Sequence, residues 1–141
     1  MAENVTESEI ENPERRKRQR FVAKRWGSVC FWIRVDGERI PLNDLSLEGF
    51  SVPAEAPLPE PKTFPFVLQI EGIPDEVRGE ARTMNFVVGE GGGQLGCRFL
   101  SFVGDGGMVL HDWLTAHLIS TATLRISEKE AAAIVAGPSL I

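Results

Sequence analysis

The stretch SVCFWIRVDGERIPL, residues 28–42, decides the fold class. From Ser28 to Val35 the side chains alternate, with Val29, Phe31, Ile33 and Val35 on one side and Cys30, Trp32 and Arg34 on the other. A period of two is the mark of a strand with one buried face. Asp36-Gly37 follows, a pair suited to the positive φ angles of a two-residue hairpin turn, and Glu38 to Leu42 returns. The chain therefore starts its core with an antiparallel hairpin.

Working outward, the same period recurs. Strand-like sequence begins near Phe21. Asp44 to Gly49 reads as a polar turn and Phe50 to Val52 as a short strand. Prolines at 53, 57, 59, 61 and 65 mark a loop. Phe64, Phe66, Leu68 and Ile70 then line one face of another strand, Glu76 to Val88 reads as a long strand, Gly89 and Gly91 to Gly93 as its turn, and Gln94 to Val103 as the last strand. Beyond it the period becomes helical. Val109, Leu110, Trp113, Leu114 and Leu118 form an apolar stripe, with Asp105 placed to cap its start through its side chain. Ser127 and Glu130 have capping-box spacing, which predicts a second helix over 128–136, ended by Gly137-Pro138. The sum is a mainly β chain: a six-stranded antiparallel β-barrel with a C-terminal α-helix.

Length and composition agree with one domain. The chain has 141 residues, 43% hydrophobic and 25% charged, enough for a single core and too little for a two-domain enzyme or a repeat array. No apolar run approaches the ~20 residues of a membrane span, and the polar, acidic start is unlike a secretory signal. This argues against direct membrane insertion. Cys30 and Cys97 are too few for a disulfide scaffold and read as reduced core thiols of a cytoplasmic protein. Residues 1–13 carry few apolar groups and are expected to be a disordered acidic arm, ahead of a domain over 14–120 and an extension over 121–141.

The charge is unevenly placed. Net charge is -5. Residues 1–14 hold five Glu and no base, whereas residues 15–25 hold seven bases and no acid: Arg15, Arg16, Lys17, Arg18, Arg20, Lys24 and Arg25. A basic cluster on an acidic protein can bind an anion through local potential, or stand as a solvated arm.

Enzyme chemistry finds little support. His111 and His117 are six apart, on different sides of a helix, and the cysteines form no CxxC, so no metal site is expected. Gly91-Gly92-Gly93 lies between two strand patterns and does not open a helix, so it reads as a turn and not a phosphate cradle. Ser46 and Ser51 have no base nearby in sequence, and no catalytic residue is assigned. Trp26 and Trp32 read as packing residues before base-stacking ones.

Two short motifs remain: Arg16-Lys17-Arg18-Gln19-Arg20, an RxxxR pattern, and Asp44-Leu45-Ser46-Leu47-Glu48-Gly49, a DxSxxG pattern. Guanidinium forks suit phosphate and the O6/N7 edge of guanine. A carboxylate accepts from guanine's ring N–H and amino group. A serine can bond phosphate or brace a turn, and a glycine permits close backbone approach. Each motif alone is common. In order, and separated by 23 residues that fit one hairpin, they complement a phosphate-bearing guanine nucleotide.

This ordered pair resembles the PilZ domain, the bacterial receptor module for cyclic di-GMP. The resemblance runs from about Glu14 to about Leu118. It covers residues 14–21, the DLSLEGFSV stretch at 44–52, Gly96-Cys97-Arg98-Phe99 in the last strand, and the leucine-bearing helix that follows. It implies a PilZ-type barrel and a receptor, not a catalyst. Arg16 and Arg20 would grip guanine edges and phosphates, Asp44 would read guanine donors, Ser46 would add a hydrogen bond and Gly49 would keep the turn close. Arg15, just before the RxxxR pattern, goes with two stacked ligand molecules in this family. Arg98 is a ligand candidate or a strand-surface ion-pair partner. The implied partners are cyclic di-GMP and an unidentified effector protein, with the chain a monomer or a homodimer. Two competing classes are a PilZ-like adaptor that binds no nucleotide and a small barrel that binds nucleic acid through the basic arm. Against the latter, the rest of the chain is net acidic and lacks an obvious aromatic strand platform.

Overall fold

The computed structural model describes residues 18–89, 92–122 and 125–138. The arm expected over 1–13, Arg15 and Arg16, and part of the glycine turn after Gly89 lie outside them.

Among the described residues, ten strands and two helices follow in order: β1 (Phe21–Val22), β2 (Lys24–Arg25), β3 (Ser28–Val29), β4 (Phe31–Val35), β5 (Glu38–Pro41), β6 (Asp44–Leu45), β7 (Gly49–Pro53), β8 (Thr63–Ile70), β9 (Glu76–Gly89), β10 (Gly92–Phe102), α1 (Gly106–Thr121) and α2 (Glu128–Ala136). β2 and β3 pair only with each other. The other eight form one antiparallel sheet in the order β1-β6-β7-β10-β9-β8-β4-β5. Six strands were expected; the sheet has eight because two-residue strands β1 and β6 join it. β1 is the strand-like start read near Phe21, too short to show an alternation, and β6 falls in the stretch read as a polar turn.

The order explains the curl. β5 is one edge of the sheet and β6 lies next to the other, yet only Leu42 and Asn43 separate them in the chain. From Pro41 to Asp44 is three residue steps, at most ~11 Å, so the sheet must curl into a half-barrel that brings its edges close. Backbone bonds mark the closure: Leu42 N–H donates to Phe31 O, and Asn43 N–H donates to Ser51 O.

The alternation read from the sequence is the alternation that is buried. Phe31 and Ile33 face the core while Arg34 is exposed, and Phe64, Phe66, Leu68 and Ile70 are all buried. Phe50, Phe66, Phe99 and Phe102 pack ring against ring inside the curl. Cys30 departs from the alternation. It sits between β3 and β4, where its N–H bonds Ala23 O, and is buried with the core.

Helix α1 closes the core with Leu110 and Leu114. Its N-cap is Asp105, but the side chain makes no capping bond. The Asp105 carbonyl accepts from the Met108 and Val109 amides instead. Helix α2 has the expected bounds and the expected box: Ser127 Oγ accepts from Glu130 N–H, and the Glu130 carboxylate accepts from Ser127 N–H. Its buried Ala131 and Val135 are covered within the chain, beside α1. No helix among the described residues is long and apolar enough to cross a membrane.

Candidate functional site

Arg20 directly precedes β1, and β1 pairs antiparallel with β6 so that Val22 faces Asp44 and Phe21 faces Leu45. Arg20 is therefore the diagonal neighbour of Asp44, on the same face. Its Nη1 donates to Asp44 Oδ1 at 2.8 Å, with 45% and 24% of the two side chains exposed. The residues between them do not form one hairpin, as the spacing suggested. They form two, β2–β3 and β4–β5, and the β1–β6 pairing brings the ends together.

The segment β1–β2 is tied to α1 through His117. His117, 2% exposed, lies with Nε2 2.8 Å from Val22 O and accepts at Nδ1 from Arg25 Nε at 2.9 Å. The Arg25 donor leaves Nδ1 as acceptor, so the proton sits on Nε2 and points to the carbonyl. Burial pushes the His117 pKa down, the Val22 carbonyl opposes this and the Arg25 charge adds to it.

Ser46 is 2% exposed, and its Oγ accepts from the amides of Glu48 and Gly49 at 3.1 and 3.2 Å. The hydroxyl thus serves the turn's own amides, a local side-chain-to-backbone brace. Gly49 has no positive φ. A Cβ there would stand 2.1 Å from Cys97 O, so it is close approach of β10 that excludes a side chain.

A cleft of about 480 Å³ opens beside this turn, lined by Arg18, Arg20, Glu48, Gly49, Met84 and Arg98 among others. Phe50, Cys97 and Thr83 face inward in register, so their neighbours along the strands face out. Two outer rows cross the sheet. One runs Asp44, Ser51, Gly96, Asn85; the next runs Gly49, Arg98, Arg82, Thr63. In the first, Ser51 Oγ is buried and has no hydrogen-bond partner among the described residues. Arg18 is half-buried and its backbone bridges to Pro138, just past α2.

The structure thus brings together Arg20, Asp44, Ser46, Gly49 and Arg98; Arg15 and Arg16 are outside the described residues. Arg18, Ser51, Arg82 and Asn85 were not singled out for this site from the sequence. Their shared face depends on which strands pair, and β9 shifts register between Glu80 and Ala81 and between Thr83 and Asn85. The tryptophans stand apart: Trp26 is 89% exposed at the β2–β3 turn, and Trp32 lies under Arg39, whose guanidinium carbon is 4.0 Å from the ring centroid. No group of three His, Cys, Asp or Glu among the described residues is placed to hold a metal ion. The cleft offers the guanidinium groups of Arg18, Arg20 and Arg98 and the carboxylate of Glu48, with Asp44 reached through its bond to Arg20.

Compared with known proteins, the chain matches no family model and no curated sequence.

Proposed function

We propose that this chain is a cyclic di-GMP receptor with a PilZ-type barrel, acting in the cytoplasm through a partner protein. The observation that carries the reading is the bond between Asp44 and Arg20, 24 residues apart, where Arg20 lines a cleft together with Arg18 and Arg98. A guanidinium matches the O6/N7 edge of guanine and a carboxylate matches its N–H donors, whereas adenine would turn an amino group toward the arginine.

In this reading Arg16 and Arg20 hold guanine edges and phosphates, Asp44 reads the guanine donors and Arg98 meets a phosphate. Ser46 and Gly49 keep the turn tight beneath the ligand. Arg15 favours two stacked molecules. The arginine arm orders over the cleft on binding and presents a new surface to an effector. Charge-assisted hydrogen bonds contribute roughly 1.5–3 kcal/mol each. A few of them, less the ordering of the arm, support submicromolar to micromolar affinity, since a micromolar Kd is about 8 kcal/mol.

Calorimetric titration of the full chain with cyclic di-GMP tests this, with GTP and an Arg16→Ala/Arg20→Ala double variant as controls. Saturable binding that the double variant loses supports the receptor. No heat and no thermal shift up to about 100 μM, weaker than ~5.5 kcal/mol, overturns it in favour of an adaptor that binds no nucleotide.

A further inference from the structure

We propose that Arg82 and Arg98 form a two-arginine grip for a phosphate group, extending the cleft along β9 and β10; this rests on the nucleotide reading above for the identity of the ligand. The two residues are direct cross-strand partners. Both are exposed, on the outer face of the sheet. Directly opposed side chains have Cβ atoms about 4.5–5.5 Å apart, and like charges there repel.

Three other arginines are paired, while Arg34, which stands opposite Arg39, makes no ion pair among the described residues. Arg20 bonds Asp44, Arg39 bonds Glu71 and Arg78 bonds Glu76. Among the described residues, neither Arg82 nor Arg98 makes an ion pair. Glu80 lies on the same outer face two residues before Arg82, and Glu48 lines the cleft beside Arg98, yet neither carboxylate closes on the pair. Two uncompensated guanidinium groups side by side are a poor arrangement for stability and a good one for an anion with several acceptor oxygens.

Position gives the grip its use. Arg98 faces Gly49 on its other side. The row therefore runs from the turn below Asp44, across the bare Gly49, to the two arginines. A nucleotide whose base is read at Arg20 and Asp44 then has its phosphate directed along this row. Thr63, the next residue in the row, adds a hydroxyl.

The test compares the full-length wild type with Arg82→Ala and Arg82→Lys, using calorimetry with cyclic di-GMP and thermal melts without ligand. Loss of Arg82 is expected to weaken binding about ten- to a hundredfold, the size of one charge-assisted contact. Lys should restore part of it, with a steeper fall in salt than in wild type. The free Arg82→Ala protein should melt at the same temperature as wild type or higher, because a repulsion has gone; a residue needed only for folding would lower it. Binding by Arg82→Ala within about twofold of wild type, less than a single neutral hydrogen bond supplies, overturns the grip while leaving the receptor reading intact. If wild type binds no cyclic di-GMP, the receptor reading fails and the grip is judged with inorganic pyrophosphate, by phosphorus NMR line broadening. Broadening that Arg82→Ala abolishes supports it, and no broadening overturns it.

Discussion

Arg20, which lines the cleft, and Asp44 are each other's partner, Nη1 to Oδ1 at 2.8 Å. The pair is partly exposed, and ion pairs of this kind are worth about 0–1 kcal/mol. In the proposed receptor reading, a guanine entering the cleft replaces both halves at small cost, the arginine turning to the base edge and the carboxylate to the ring donors. On that proposal the pair holds the place of the ligand with the same polarity.

Replacing either partner should therefore separate binding from folding. Arg20→Ala and Asp44→Ala are each expected to lower stability by no more than about 1 kcal/mol. Each should weaken cyclic di-GMP binding at least about tenfold. Urea melts and calorimetry on the same preparations give both numbers.

Gly49 should tolerate nothing larger. A Cβ would overlap the Cys97 carbonyl at 2.1 Å, and the obstacle is backbone in the next strand, which cannot turn aside. Gly49→Ala is expected to cost roughly 1–3 kcal/mol or more, as overpacking does. It should also disturb the turn that Ser46 braces. Chemical denaturation gives the first effect, and amide exchange at Glu48 and Gly49 the second.

His117 makes stability depend on pH in a defined window. Its folded pKa lies below the ordinary 6.5, because burial and Arg25 disfavour the imidazolium. Above that value both folded and unfolded states are neutral and the contribution is fully present. As pH falls below it, the unfolded chain takes the proton first, so stability declines until the folded-state pKa is reached. Thermal melts between about pH 7.5 and about pH 5 should show this slope in wild type and lose it in His117→Gln.

The thiols should be silent in the native protein. Burial pushes Cys97 up to about 11 and raises Cys30 as well. The thiolate is the reactive form. Iodoacetamide at about pH 8, below the usual thiol pKa, should label neither until denaturant is added, as mass spectrometry would read.

Much of the fold was legible before the structure. The 28–42 hairpin, the buried face of Phe64 to Ile70 and the bounds and capping box of α2 rest on local rules: side-chain period, turn chemistry and the reach of one side chain to nearby amides. These act within a few residues, so one sequence contains them. The side-chain cap expected at Asp105 is absent, because the local backbone there satisfies the helix through the Asp105 carbonyl.

The sequence by itself determined a β chain with two C-terminal helices, an arginine cluster at one end, and Asp44, Ser46 and Gly49 in a single turn. Only the tertiary structure decided that β1 pairs with β6, which turns a 24-residue separation into a 2.8 Å contact, and that Ser46 Oγ is taken up by its own turn. It alone set Arg82 opposite Arg98 and Ser51 beside Asp44 and Gly96. Period and propensity describe one strand at a time. Register between strands is set by the curl of the whole sheet and by the two register shifts between β9 and β10, which no single strand encodes.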